Sequence, residues 1–477
     1  MAERFVVPGK PGNAGGGKGP QFRTDVESGE GREIGKPGNS MISVQKLQTA
    51  LHVKAKEEPG FRFYALYDKI YRMDVLAHAY ARCRANKGAA GVDGLTFDDV
   101  EAYGRERWLG ELAQELREGI YRPDAVRRVF IPKPNGKLRP LGIPRLAERV
   151  CQTAAMLVLE PIFEADLQPE QHAYRQDRNA QSAVLEVREL LDGGYRDVVD
   201  ADLSGYFDTI PHAELMKSVA RRVVDRRMLH LVKMWLEAPV EEFDERGRKR
   251  RTTTNLDARK GIPQGSPISP LLSNLYMRRF ILGWKLAGLE RQLGARIVNY
   301  ADDLVICCRG NGAETALEAM RRMMRRLKLT VNEEKTRTCR IPDGKFDFLG
   351  YTFGLCYSRK TGRAYIGARP SKKSVKRMIE AVHVETGRNT TWLDAEELVT
   401  RLNRKLRGWA NYFRYGPVTS AYRFIDWYTT NRLRRWLCKK YKQSGKGNER
   451  YPDEYLYKHL RLIRLPILPK SFPWAKA

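Results

Sequence analysis

The stretch RIVNYADDLVICC, residues 296–308, decides how this chain is read. It consists of two short β-rich runs around Ala301-Asp302, and it sets two adjacent carboxylates, Asp302 and Asp303, at a turn. Adjacent carboxylates repel, so a tight Asp-Asp between apolar strands is costly without a cation to share. Val298 before the turn, and Leu304, Val305 and Ile306 after it, anchor it in a core. By itself the dipeptide is an ordinary surface signal, because Asp favours turns. A second segment changes that balance. YRDVVDADLSGYF, residues 195–207, reads as a strand that runs out into a turn. Strand alternation puts Asp200 and Asp202 on one face and Val199 and Ala201 on the other. Asp202 is the partner carboxylate. Asp200 reads as a supporting or solvated strand-end group and stays outside the metal set, and Asp208 reads as structural.

The chemistry that suits such a trio is nucleotidyl transfer. That reaction needs two divalent ions about 3.5–4 Å apart, holding the attacking and leaving oxygens. Magnesium accepts few carboxylates and keeps substrate phosphates as ligands. Two or three Asp on rigid strands, at an edge open to solvent, are therefore the expected parts. The expectation is that Asp202, Asp302 and Asp303 are both catalytic and metal-binding, with two Mg2+ ions and Mn2+ as a substitute.

Working outward, VRRVFIPKPNGKLRPLGIP (126–144) reads as a β-hairpin turning at Pro134-Asn135-Gly136, since Asn-Gly is a strong hairpin signal. Lys133, Lys137 and Arg139 sit along it. NKGAAGVDGLTFDDV (86–100) is a glycine-punctuated loop leading to a helix capped by Thr96. Residues 147–166 and 180–192 read as helices, and 241–254 as a charged hairpin or loop. LDARKGIPQGSPISPLLSNLYM (256–277) passes from a Gly/Pro loop into a helix, and KFDFLGYTF (345–353) is aromatic and β-like. In 313–329, Leu317, Met320, Met324 and Leu327 recur at helical spacing with a basic opposite face.

Composition bounds the partners. The 477 residues carry 86 Lys+Arg against 57 Asp+Glu, a formal charge of +29, and so lopsided a balance points to a polyanion. No apolar run is long enough to span a bilayer, and residues 1–20 lack the apolar core of a signal peptide. The seven cysteines are scattered, with no Cys-x-x-Cys pair, which argues against a disulfide framework or a zinc ribbon and favours a reducing, cytoplasmic setting, in cytosol or nucleoid. Residues 1–40, rich in Gly, Pro, Lys and Ser, are expected to be a disordered leader.

In order, NKGAAGVDG, IPKPNGKLRPLGIP, DLSGYFDTI, GIPQGSPISPLLSN, YADD, LTVNEEKT and FDFLGYTF resemble the blocks of group II intron-encoded reverse transcriptases, or maturases. The resemblance runs from about 45 to 445. It implies an α+β right-hand polymerase: N-terminal extension and fingers over 41–195, palm over 196–368 with an antiparallel sheet, helical thumb or maturase domain over 369–444, and a short basic tail over 445–477 with DNA-binding capacity. It also implies that Lys133 and Arg139 grip the triphosphate, which fits the phosphoryl charge they would neutralise. Phe207 would lie beneath the sugar and exclude a 2′-hydroxyl, and Gln264 would line the nucleotide pocket. Departures are HAYRQDRNAQSAV (172–184), which retains only Arg175 of the family's Gly-Phe-Arg-Pro string, and Glu148, where Asp is usual.

Past residue 370 the chain turns basic, Trp/Tyr-rich and helical. Leu402, Leu406, Trp409 and Phe413 make one stripe, with Arg404, Arg407 and Arg414 off it. Residues 420–442 repeat the scheme with Tyr422, Trp427 and Trp436. Basic residues interleaved with aromatics suit RNA. Trp409, Phe413 and Trp427 are expected to be mostly core, and Arg404, Arg407, Arg414, Arg434 and Arg435 to be the RNA-contact surface. No His/Asn/His module with cysteine pairs follows Cys438, so no endonuclease is expected. The implied partners are group II intron RNA, an RNA template with a DNA primer, dNTPs and target DNA, with no membrane and an oligomeric state the sequence does not give. Two other readings stay open: a domesticated or other cellular reverse transcriptase in DNA repair or defence, and a splicing-only RNA-binding maturase.

Overall fold

The computed structural model describes residues 37–132, 138–243, 248–358 and 361–467. Leader residues 1–36, the Pro134-Asn135-Gly136 turn and Lys133 lie outside them. Eleven strands are present among the described residues: β1 Val126–Pro132, β2 Leu138–Ile143, β3 Asp197–Asp202, β4 Val240–Phe243, β5 Lys249–Thr252, β6 Ala295–Tyr300, β7 Asp303–Cys308, β8 Arg337–Arg340, β9 Phe346–Phe348, β10 Tyr351–Tyr357 and β11 Ala364–Pro370. They form three sheets, in the orders β2-β1-β4-β5, β6-β7-β3-β8 and β11-β10-β9. The fold is mixed α+β, with a largely helical C-terminal part after β11.

The central sheet β6-β7-β3-β8 is antiparallel throughout. Both of its faces are buried, and by different cores. Val199, Ala201, Ile297, Leu304 and Ile306 point into a first core that they share with the helices Leu146–Glu164 and Ser269–Leu286. Val198, Val298, Val305 and Cys307 point into a second core with the helices Ala180–Asp192, Ala395–Tyr412 and Thr419–Lys440. The strands are therefore nearly continuous apolar runs, as expected for a sheet covered on both sides. The polar exceptions are Asp197, Asp200 and Asp202 in β3, Arg296, Asn299 and Tyr300 in β6, Asp303 in β7 and the edge strand β8, Arg-Thr-Cys-Arg.

The helices begin where local chemistry allows. Thr96 accepts a hydrogen bond from the Asp99 amide while Asp99 caps the Thr96 amide, a reciprocal box. Asn179 and Ser182 do the same for the helix Ala180–Asp192. The 241–254 segment is a hairpin, β4 with β5. The segment after 445 departs from the expected free tail. Tyr451, Leu456, Leu460, Leu462 and Leu465 are buried in the second core, and Asp426 accepts from the Tyr457 hydroxyl at 2.6 Å and the Leu465 amide at 3.0 Å. Burying these side chains takes their apolar surface out of water, so this segment packs as part of the second core.

Candidate active site

Asp202 ends β3 and Asp303 begins β7, and the two are directly opposed across the ladder. Tyr300, ending β6, is opposite Asp303 on its other side. The next row inward is Asp200, Val305 and Val298. Asp200, Asp202 and Asp303 thus share the sheet face that covers the second core, as alternation predicts for the β3 pair.

Ala301 and Asp302 form the two-residue link from β6 to β7. Ala301 adopts φ +57°, a left-handed conformation that costs an ordinary residue about 1 kcal/mol. Buried Asn299 holds the turn closed: its Nδ2 donates to the Ala301 carbonyl at 2.9 Å and the Asp303 carbonyl at 3.2 Å. The Asn299 backbone is itself pinned, its amide to the Glu170 carbonyl at 2.8 Å and its carbonyl to the His172 amide at 2.9 Å. The strained turn is thus over-determined by two neighbouring segments.

The Asp202 carboxylate accepts from Lys335 Nζ at 2.8 Å and Asn332 Nδ2 at 3.0 Å. Both come from the Asn332-Glu333-Glu334-Lys335 turn, which is tied by the Asn332 amide to the Asp202 carbonyl at 2.8 Å. Asp200 pairs with Arg337 at 3.3 Å. Burial, reinforced by Asp302, Asp202 and Asp200, pushes the Asp303 carboxyl up to about 7. Burial raises Asp302 too, with Asp202 adding to it and Arg139 and Lys335 opposing. Burial lifts Asp200 to about 6 against the pull of Arg337. Burial is the largest cause in each case, and the neighbouring carboxylates add to it.

Among the described residues, no three His, Cys, Asp or Glu side chains are gathered closely enough to enclose an ion on their own. The donors are hard oxygens, and two of them, on Asp202 and Asp303, are directly cross-strand. This set fits divalent cations.

Around the carboxylates, Arg139 is exposed on β2, and its charge is felt by both Asp302 and Tyr174. Phe207 is half-buried in the short helix Tyr206–Thr209, and its carbonyl accepts from the Ile262 amide at 2.7 Å. Gln264 Nε2 donates to Asp208 at 3.2 Å, and the Gln264 carbonyl accepts from the Gly142 amide at 2.6 Å. The 263–265 loop thereby docks on β2 beside Arg139. Gly265 makes that approach possible: at φ +107°, a Cβ there would lie 2.4 Å from the Gly142 carbonyl oxygen. Arg139, Phe207 and Gln264 are in this way linked through backbone, and Asp208 orients Gln264.

Several site residues were not legible in the sequence. Asn299, Lys335 and Tyr174 act across the fold; all three lay in quoted stretches, but none was given a role. Tyr174 adopts φ +57°, and burial together with Asp302 pushes its hydroxyl up to about 12. Arg175, beside it, is spent on structure: it is buried, pairs with Glu164 at 2.5 Å and donates to the Gln168 and Gln171 carbonyls at 2.8 Å. Glu148 is likewise buried, on Arg145 at 2.7 Å.

The thumb is pegged to this site. Tyr412, at the end of the helix Ala395–Tyr412, donates its hydroxyl to the Leu349 carbonyl at 2.9 Å, and its own carbonyl accepts from the Tyr351 hydroxyl at 2.6 Å. Gln181 Nε2 donates to the Asn411 carbonyl at 2.9 Å. Burial raises the Tyr412 hydroxyl, with Tyr300 and Asp303 adding to the rise.

Of the thumb arginines, Arg404, Arg407 and Arg435 are exposed. Arg414 is half-buried, with its guanidinium 5.3 Å from the Tyr415 ring centre. Arg434 contradicts the expected contact surface. It is buried and donates to Asp453 at 2.5 Å and the Tyr451 carbonyl at 2.8 Å, because the segment after 445 folds over it. Trp409 and Phe413 are core, but Trp427 is 59% exposed, contrary to expectation.

These features define a polymerase of the reverse-transcriptase class joined to a maturase region. The model of the reverse transcriptase (RNA-dependent DNA polymerase) family matches residues 131–353, and that of the group II intron maturase-specific domain matches 375–452. The chain belongs to the group II intron reverse transcriptase/maturase family. It is 34% identical to protein YkfC of Escherichia coli over 369 residues, 69% of this chain and 93% of YkfC. It is 30% identical to the group II intron-encoded protein LtrA of Lactococcus lactis over 279 residues, 58% of this chain and 42% of LtrA. It is 27% identical to the putative COX1/OXI3 intron 1 protein of Saccharomyces cerevisiae, over 59% of this chain and 38% of that protein. No helix among the described residues is long and apolar enough to cross a membrane.

Proposed function

We propose that this reverse transcriptase copies RNA into DNA at the Asp202, Asp302 and Asp303 carboxylates, and that its thumb binds a group II intron RNA to assist splicing and support mobility. The observation that carries the polymerase reading is the cross-strand pairing of Asp202 with Asp303 beside a turn held by Asn299. Two divalent ions, Mg2+ or in its place Mn2+, would be held by these carboxylates and the substrate phosphates, lowering the cost of in-line displacement. The residues themselves do the rest. Arg139, and Lys133 on the same hairpin, meet the triphosphate of an incoming dNTP. Phe207 stands under the sugar and Gln264, held by Asp208, borders the base. Lys335 keeps Asp202 aimed when no ion shares it. The intron RNA would lie on the basic surface of Arg404, Arg407, Arg414 and Arg435, and the RNA template with its DNA primer in the cleft before the carboxylates; target DNA is the partner that mobility requires.

Primer extension on an RNA template tests the polymerase reading. Asp302→Ala/Asp303→Ala should lose about a thousandfold or more in cDNA yield; equal cDNA from wild type and variant would remove it. The splicing role is tested separately, by adding that same double variant to a flanking-exon transcript at low magnesium. Retained splicing supports an RNA-binding maturase function independent of polymerisation. A domesticated role in repair or defence is favoured instead if the surrounding DNA encodes no intron RNA.

A further inference from the structure

The helix Thr419–Lys440 buries Ile425, Leu433, Trp436 and Leu437 against the second core. Its outward face carries Phe424, 48% exposed, and Trp427, 59% exposed. These rings lie 6.0 Å apart, centre to centre, and within 19° of parallel. Large exposed rings facing water are unfavourable unless something covers them. Along the same face, Arg435 lies eleven residues past Phe424, on almost the same line of the helix, about 16 Å along it at 1.5 Å per residue. Arg423 flanks the rings. Arg423 and Arg435 are exposed and have no ion-pair partner among the described residues.

We propose that Phe424 and Trp427 form a stacking platform for unpaired nucleobases of RNA, with Arg423 and Arg435 holding the phosphates of the same strand. This deepens the RNA-binding reading of the maturase region and rests on it. Aromatic faces stack any base, and neighbouring guanidiniums neutralise the connecting phosphates; this combination distinguishes single strands from duplex, whose bases are already stacked. The patch fits a protein partner poorly. Two rings bury roughly 150–250 Å² each, well short of the roughly 800 Å² per partner of a stable interface. Unpaired arginines beside it, in a chain of net charge +29, also oppose a second copy of the same surface.

The test uses the full chain with its cleft filled by an RNA-template/DNA-primer, so that further RNA binding reports on the outer surface. The probes are a labelled oligoadenylate and a blunt RNA duplex with the same number of phosphates. Trp427→Leu should weaken oligoadenylate binding about tenfold and leave duplex affinity, melting temperature and primer extension unchanged. Trp427→Phe should restore most of the loss, and ultraviolet crosslinking of oligoadenylate should label the peptide containing Phe424 and Trp427. The inference is overturned by unchanged oligoadenylate affinity, by an equal loss on both probes, by crosslinks confined to other peptides, or by a dimer that dissociates on Trp427→Leu. Failure of the underlying polymerase and RNA-binding reading looks different: the wild-type chain would then neither extend the primer nor bind either probe.

Discussion

Asp303 is where the chemistry and the stability of the protein pull in opposite directions. Its folded-state carboxyl is raised to about 7, against roughly 3.9 in an unfolded chain. A raised acid favours the folded state fully at pH below the unfolded value, and that contribution is lost as pH climbs through 7. Metal-free protein should therefore melt a few degrees lower at pH 8 than at pH 6, a scale set by about 1 kcal/mol per few degrees. Asp303→Asn should flatten that fall in a calorimetric pH series while abolishing primer extension. A metal-free melting temperature that rises between pH 6 and 8 would contradict the charge crowding. Asn299→Leu is predicted to act on the same turn without touching a carboxylate. It leaves two carbonyls without their donor, a loss of about 1–3 kcal/mol, and should cut kcat more than it raises the KM for dNTP. At this scale the sequence was legible where function is local. Asp202, Asp302 and Asp303 declare themselves by neighbouring apolar runs. Asn299 and Lys335 do not, because each is defined by what it reaches: Lys335 meets Asp202 from a turn 133 residues along the chain.

Elements carry the geometry that single residues cannot. The 263–265 loop sits against β2 only because Gly265 has no Cβ. Gly265→Ala must push the loop off the Gly142 carbonyl, and it should raise the KM for dNTP severalfold while leaving RNA affinity intact, as measured by steady-state extension and filter binding. The thumb helices make a second contrast. Arg404→Gln, Arg407→Gln and Arg435→Gln should each reduce the salt slope of RNA binding by about one with little change in melting temperature. Arg434→Met should do the reverse. It removes a buried guanidinium that holds the Tyr451 carbonyl and Asp453 and so destabilises the maturase region, with the slope unchanged. Periodicity read the helices well, and the Ala180–Asp192 bounds match the expectation. It could not tell buried Arg434 from exposed Arg435, adjacent in sequence, nor foresee that Trp427 faces out. Both facts depend on where the segment after residue 445 lies, and a helix pattern holds no information about what covers it.

In the whole molecule, one sheet separates two cores, and each core recruits a different part of the chain. The first joins the helices of the polymerase domain to the central sheet; the second joins that sheet to the helical maturase region. Charge asks for RNA at every scale, and binding to RNA should weaken steeply between low and moderate salt; flat affinity in a titration over that range would count against electrostatic docking. The α+β class and the order of blocks were readable because β6 and β7 are largely apolar runs on either side of an Asp-Asp turn. The sharing of one sheet by two cores was not, since apolar runs look alike whichever side they face. The Tyr412 peg gives this arrangement a mechanical meaning. The end of a thumb helix, the Leu349-Gly350 turn and the helix bearing Gln181 are bolted to one another within the electrostatic reach of Asp303. A load on the thumb, such as a folded RNA resisting being drawn through, is delivered to the catalytic corner as torque on a common pivot. The enzyme is built like a winch with its brake on the drum, so stalling at structured template should be a property of the hinge that Tyr412→Phe loosens.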